Sequence, residues 1–135
     1  MVVLAGCTGP VRSFGVYESK AGRTAQTVVS AVETALLATD AAAAGKGYGR
    51  YLSQVLNDAE EDATSAQGTF DGIQPPDDRA DRLHSQLDDL LTKAVGGLAD
   101  LRVAARRGRL AQLPAIARPL RKLSEQLDAF AKAHA

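Results

Sequence analysis

The chain has 135 residues, of which 45% are hydrophobic and only 4% are aromatic. This length suffices for one domain with a buried core, and the core must be aliphatic because aromatic side chains are scarce and tryptophan is absent. The formal net charge is +0 at pH 7, so no overall field attracts nucleic acid, and we expect no nucleic-acid partner. A single cysteine excludes an internal disulfide and a zinc site built from clustered cysteines.

The first feature in chain order is the tetrapeptide Leu4-Ala5-Gly6-Cys7. It resembles the lipobox of bacterial lipoproteins, and the excess of Arg over Lys is similar to that of actinobacterial proteins. In that family the Cys thiol takes a diacylglyceryl group, and a signal peptidase cuts just before it. The resemblance implies that residues 1–6 are the remnant of a signal peptide. It also implies that Cys7 anchors the protein at the extracytoplasmic face of the membrane, where two acyl chains hold it stably.

Residues 8–16 are rich in glycine, proline and serine, so the pattern predicts that 7–16 comprise the lipidated Cys7 and a flexible linker. From about Tyr17 to Ala44, apolar and small residues recur at intervals of three and four, which predicts a first helix. Gly45 and Gly47 then end it.

Two further helices follow before residue 108. The second is predicted over about 49–70, with Pro75-Pro76 after it. The third begins near Asp77 and ends at about residue 106, before Gly108. Its apolar positions are Leu83, Leu87, Leu90, Leu91, Ala94, Leu98, Leu101 and Ala105. Gly96-Gly97 in its second half predicts a bend or a close contact with another helix.

The fourth helix is predicted over about 110–132, with Pro114 in its first turn and Phe130 in its apolar stripe. Four helices of similar length joined by short connections predict an all-α fold, an antiparallel up-down-up-down four-helix bundle over 17–135. We expect this bundle to be a monomer.

Charge is segregated along the chain. Residues 57–89 contain ten acidic residues against two arginines, whereas 98–122 contain seven basic residues against Asp100. In an up-down bundle the acidic segment lies at the N-terminal end and the basic segment at the far end, together with Lys46 and Arg50. The predicted contact residues for an acidic protein or an anionic cell-wall polymer are Arg102, Arg106, Arg107, Arg109, Arg118, Arg121 and Lys122.

A simpler interpretation of this pattern is that charges match helix dipoles, with acids at helix N-termini and bases at C-termini. Four of the seven basic residues do not fit it, because they lie at or near the start of the fourth helix, where the dipole disfavours them. These four are Arg109, Arg118, Arg121 and Lys122. The binding hypothesis therefore stays open beside the dipole interpretation.

Titratable residues on the third helix come closest to a metal site. Asp81 and His84 are one turn apart, and Asp88 lies one turn further. Bundle di-metal sites need more ligands than these, so we expect no metal and no cofactor, and a solvated face around His84. No nucleophile elbow or phosphate-binding loop occurs, and we expect no enzymatic activity.

The favoured hypothesis is an extracytoplasmic, lipid-anchored helical-bundle lipoprotein with a binding or scaffolding role. The first alternative is a ligand- or metal-sensing bundle, with a pocket shaped by Gly96-Gly97 and Pro119. The second is a cytoplasmic helical interaction protein in which Leu4-Ala5-Gly6-Cys7 occurs by chance.

Overall fold

A computed structural model describes residues 13–46 and 49–135. Within these ranges the chain forms no strand and four α-helices, with a short 3₁₀ turn (Leu110–Gln112) before the last one. The helices are α1 (Phe14–Ala43), α2 (Gly49–Asp71), α3 (Asp78–Arg106) and α4 (Leu113–Ala133). The all-α fold predicted from apolar periodicity is thus confirmed. Cys7 and the lipobox lie outside the described residues.

Helix α1 begins three residues earlier than the sequence pattern predicts. Ser13 caps it, and its hydroxyl accepts a hydrogen bond from the backbone N–H of Val16 at 3.3 Å. Phe14 packs partly buried against the core, with the guanidinium carbon of Arg79 3.7 Å from the centre of its ring. The predicted linker 7–16 is therefore wrong in its last three residues, because the cap and the burial of Phe14 outweigh the glycine at position 15.

Contacts between helices define the topology. Helices α1 and α3 contact each other and both remaining helices, whereas the described parts of α2 and α4 do not touch. The start of α1 meets the end of α2, where the Tyr17 and Phe70 ring centroids are 5.1 Å apart. The middle of α1 meets α4 through a 2.6 Å hydrogen bond from the Ser124 hydroxyl to Glu33. The end of α2 also meets the start of α3, where Asp71 contacts His84, and the chain end after α4 meets the start of α1, where His134 contacts Glu18. Sequential helices are thus antiparallel, as expected of an up-down-up-down bundle.

The core is aliphatic, and the largest side chains on α3 that are fully buried are leucines. Three details of the predicted stripes differ in the structure. Leu90 is only partly buried beside fully buried Leu91, Ala104 is buried in place of Ala105, and Phe130 packs at the edge of the core. Each difference lies at the edge of a predicted stripe, since neighbouring predicted positions such as Leu87, Leu91 and Leu127 are buried.

The predicted close contact at Gly96-Gly97 is made by one of the two glycines. A Cβ atom on Gly97 would lie 2.6 Å from the Cδ2 atom of Leu120, whereas a Cβ atom on Gly96 would meet open space. Glycine at position 97 therefore lets α3 approach the Leu120 side chain of α4. None of the described helices combines the length and the apolar character needed to cross a membrane.

Candidate functional site

Two helices end side by side at the basic end of the bundle in the same hydrogen-bonded motif. In each, a glycine with positive φ follows the helix: Gly45 (φ 74°) after α1 and Gly108 (φ 69°) after α3. The next residue donates its backbone N–H back into the last turn, Lys46 to Ala41 at 2.8 Å and Arg109 to Ala104 at 2.9 Å. Both turns therefore place a basic residue at the end of the bundle. We define the basic tip as Lys46, Arg50, Arg106, Arg107 and Arg109.

A surface groove of about 540 Å³ separates the start of α2 from the end of α3 at this tip. Its cationic lining comes from Arg50, Arg102 and Arg106, and Gln54 and Asn57 add neutral polar groups. The guanidinium groups of Arg50 and Arg106 are suited to carboxylates and phosphates, because each can donate two parallel hydrogen bonds.

Two of the seven predicted contact residues form ion pairs between helices. The Arg102 guanidinium contacts Glu60 of α2, and the hydrogen bond and charge of Glu60 raise the pKa of Arg102 above its ordinary value. The Arg121 guanidinium contacts Asp40 of α1. These two residues therefore hold neighbouring helices together, and their charges are already balanced.

The other five predicted contact residues are exposed, and within the described ranges none forms an ion pair: Arg106, Arg107, Arg109, Arg118 and Lys122. The structure brings Arg106, Arg107 and Arg109 together on the turn after α3. Arg118 and Lys122 lie further along α4, about one and a half and two and a half turns from its start. The seven predicted contact residues thus fall into three groups: Arg106, Arg107 and Arg109 at the basic tip, Arg118 and Lys122 on α4, and Arg102 and Arg121 in ion pairs between helices.

The opposite end of the bundle contains a cluster that the sequence pattern predicts only in part. His84 lies with its Nε2 atom 2.9 Å from Oδ1 of Asp71, the last residue of α2. One ligand atom each from Asp71, His84 and Asp88 lie within 4.8 Å of one another. Asp81, the partner predicted from its spacing to His84, is not a member of this cluster. The last residue of α2, Asp71, takes its place, and helical spacing within α3 carries no signal for that contact.

Neighbouring side chains orient this cluster. The Gln67 amide nitrogen donates to Asp88 Oδ1 and to the Thr92 hydroxyl, both at 3.0 Å. The Phe70 ring stacks on the His84 imidazole with their centroids 5.6 Å apart. The Asp88 carboxylate and the His84 imidazole are therefore both held in place by residues of α2.

The Tyr17 ring packs on Phe70, whose other neighbour is the His84 ring. The Tyr17 hydroxyl is buried and has no hydrogen-bond partner, the only such buried side-chain atom in the described parts of the chain. Such orphaned groups are uncommon in folded proteins. Burial and the negative charges of Asp71 and Asp81 raise the pKa of Tyr17 from 10.0 to about 12. The sequence offers one signal for this site, a tyrosine on the apolar face of a helix whose core is otherwise aliphatic.

This shift predicts a specific loss of stability in alkali. The unfolded chain releases the Tyr17 proton near pH 10, but the folded chain holds it to about pH 12, so the free energy of unfolding should decrease as the pH rises between these values. Urea titrations at pH 8 to 11.5 should show a smaller decrease for Tyr17→Phe than for wild type. Tyr51→Phe, at a side chain that is 66% exposed, should behave as wild type. Parallel curves for wild type and Tyr17→Phe would contradict the prediction.

The second histidine forms a simpler pair. His134 Nδ1 lies 2.9 Å from Oε2 of Glu18, and its ring packs on Phe130 with the centroids 4.4 Å apart. No third metal-binding group of the described residues joins this pair. His134 therefore offers a natural comparison for His84.

Gly96-Gly97 and Pro119, expected to shape a pocket in the sensing alternative, line a groove of about 600 Å³ between α3 and α4. The groove lies on the surface and also contains Lys93 and Lys122, while the core beneath it is filled by leucines. Fold and charge together describe an all-α four-helix bundle with a basic end and an acidic end. No protein-family model, curated protein sequence or solved structure matches the chain.

Proposed function

We propose that this protein is an extracytoplasmic, lipid-anchored helical bundle that binds an acidic protein or an anionic cell-wall polymer through its basic tip. The observation that carries the anchoring proposal is the tetrapeptide Leu4-Ala5-Gly6-Cys7. Its resemblance to the lipobox covers every position of that motif. The alternative, a cytoplasmic interaction protein with a chance tetrapeptide, makes the opposite prediction for the fate of Cys7.

The direction of the bundle supports a tip that faces away from the membrane. Helix α1 begins at the acidic end and has 30 residues, so the basic tip lies about 45 Å further along the bundle. A lipid on Cys7 would hold the start of α1 near the bilayer. The guanidinium groups after α3 would then be presented to molecules beyond the membrane surface.

The packed interior of the bundle supports a binding site on the surface and not inside the core. The core between the helices is filled mainly by leucine, valine and alanine, with Tyr17 and Phe70 at the acidic end and with Thr39 and Ser124 as its buried polar residues. Both of these hydroxyls donate hydrogen bonds, to Ala35 and to Glu33 respectively. Recognition by this domain therefore depends on side chains outside the core, and the exposed arginines of the tip form a compact group of cations without ion pairs among the described residues.

Replacement of Cys7 tests the anchoring proposal. When the native gene is expressed in its native host, we expect the protein in the membrane fraction and a diacylglyceryl group on Cys7 by mass spectrometry. Cys7→Ser should move the protein to the soluble fraction, because no acyl chain can then be attached. Ser13→Ala serves as the control, since it changes the cap of α1 without changing the lipidated residue. An unmodified thiol on membrane-bound wild-type protein would overturn the proposal.

A further inference from the structure

The cluster of Asp71, His84 and Asp88 has the composition of a site for a transition-metal ion. His84 and Asp88 are one helical turn apart on α3, and Asp71 ends α2 directly opposite. Their ligand atoms lie within 4.8 Å of one another. Two ligands of one zinc ion, each about 2.0–2.2 Å from it, are separated by roughly 3–4 Å. Side-chain movements of about 1 Å would therefore bring one ligand atom of each residue within bonding distance of a single zinc ion.

The cluster differs from a chance group of surface acids in its supporting contacts. Gln67 donates to Asp88, and Phe70 stacks on His84, so two of the three groups are already oriented. The side chains of His84 and Asp71 are 28% and 41% exposed, which leaves a path from solvent to the cluster. Protein ligands held in this way lose less freedom when an ion binds.

A second, independent observation is the orphaned hydroxyl of Tyr17. Its ring packs on Phe70, the residue that stacks on His84, and the negative charge of Asp71 acts on its hydroxyl. A buried hydroxyl without a partner calls for an explanation such as a water or an ion. A cation bound at Asp71 would offset the negative charge that acts on this hydroxyl.

The surrounding charge also favours a cation. Asp77 caps α3, and Asp78 and Asp81 lie in its first turn, so further carboxylates lie within about two helical turns of His84 along the chain. Acidic groups around a site raise the local concentration of cations. One imidazole nitrogen and two carboxylate oxygens suit zinc and its first-row neighbours, because imidazole is a poor ligand for magnesium and calcium.

We propose that Asp71, His84 and Asp88 form a binding site for one divalent transition-metal ion, with Zn²⁺ as the ion of choice. Water molecules, or a group from a bound molecule, complete the coordination of the ion. The site lies at the acidic end of the bundle and is independent of the basic tip. It extends the proposed function, because it adds a metal site to the end of the bundle at which α1 begins.

Calorimetric titration with ZnCl₂ tests this site. The protein is the full chain without an affinity tag, in a Cys7→Ser background, because a free thiol would itself bind zinc. We expect one equivalent of Zn²⁺ to bind and the melting temperature to rise with zinc concentration. His84→Gln and Asp88→Asn should each weaken binding at least tenfold. Circular dichroism checks that both variants remain helical.

His134→Gln is the matched control, because it removes an equally carboxylate-paired imidazole that has no third ligand. It should bind zinc within about twofold of the background protein, and Asp81→Asn should do the same. MgCl₂ and CaCl₂ at the same concentrations should produce no saturable heat. Absence of zinc binding, or binding that survives both His84→Gln and Asp88→Asn, would overturn the proposal. Because the lipid is absent throughout, failure here leaves the anchoring proposal untouched.

Discussion

Leu91→Ala should lower the free energy of unfolding by about 2–5 kcal/mol, whereas Leu90→Ala should lower it by only about 1 kcal/mol. Leu91 is fully buried in the middle of α3, so truncation removes apolar contacts and leaves a cavity that the surrounding helices fill only partly. Leu90 is partly buried at the edge of the core, where solvent and neighbouring side chains can occupy the space. Both substitutions keep a strong helix former in α3.

Urea unfolding followed by circular dichroism at 222 nm measures both changes. The comparison is sharp because the two leucines are adjacent, and about 100° of rotation about the helix axis separates their side chains. Equal losses of stability, or a larger loss for Leu90→Ala, would show that α3 is rotated relative to the described packing. Leu87→Ala, at another fully buried position one turn away, should match Leu91→Ala.

Simultaneous reversal of Arg106, Arg107 and Arg109 to Glu should abolish capture of a partner from the native cell envelope. The expected effect is large because single exposed ion pairs contribute little, and binding through this tip would need several of them together. Capture by the wild-type protein should also weaken steeply between 0.1 M and 0.5 M salt. The screening length is about 10 Å at 0.1 M and shortens to about 3 Å at 1 M.

Helix dipoles affect the stability of this triple-reversal variant in opposite directions. Glu at 106 and 107 is unfavourable at the C-terminal end of α3, whereas Glu at 109 precedes the N-terminal end of α4, where a negative charge is favourable. We therefore expect unchanged helicity and a loss of stability of about 1–2 kcal/mol at most. Melting curves recorded beside the capture experiment check that the variant is folded.

The matched control reverses three exposed basic residues outside the tip that form no ion pair among the described residues, Lys20, Arg23 and Arg82, to Glu. It has the same net charge as the tip variant, so any difference between the two reports the position of the charges. The control should retain capture at 0.1 M salt. Added inorganic polyphosphate should compete with an anionic polymer and with an acidic protein alike, and protease treatment of the envelope then distinguishes them. If capture survived both the tip reversal and 0.5 M salt, the basic tip would be a solvated helix end with no role in binding.

The sequence by itself determined the helices and most of their ends. Gly45 and Gly108 end α1 and α3 because positive φ is accessible to glycine, and Asp77 begins α3 because its carboxylate accepts an N–H of the first turn at 2.8 Å. The spacing of apolar residues also identified the buried side of each helix to within about one residue. These features are local, since each depends on residues no more than about one turn apart.

Only the tertiary structure decided which side chains meet across helices. Arg102 and Arg121, predicted as contact residues, are paired with carboxylates 42 and 81 residues away, and His84 meets Asp71 in place of Asp81. Helical periodicity places a residue on one side of its own helix, but it contains no information on the rotation and register of the neighbouring helix. Packing of the leucine core sets both, and a rotation of one residue is enough to exchange a free surface charge for an ion pair.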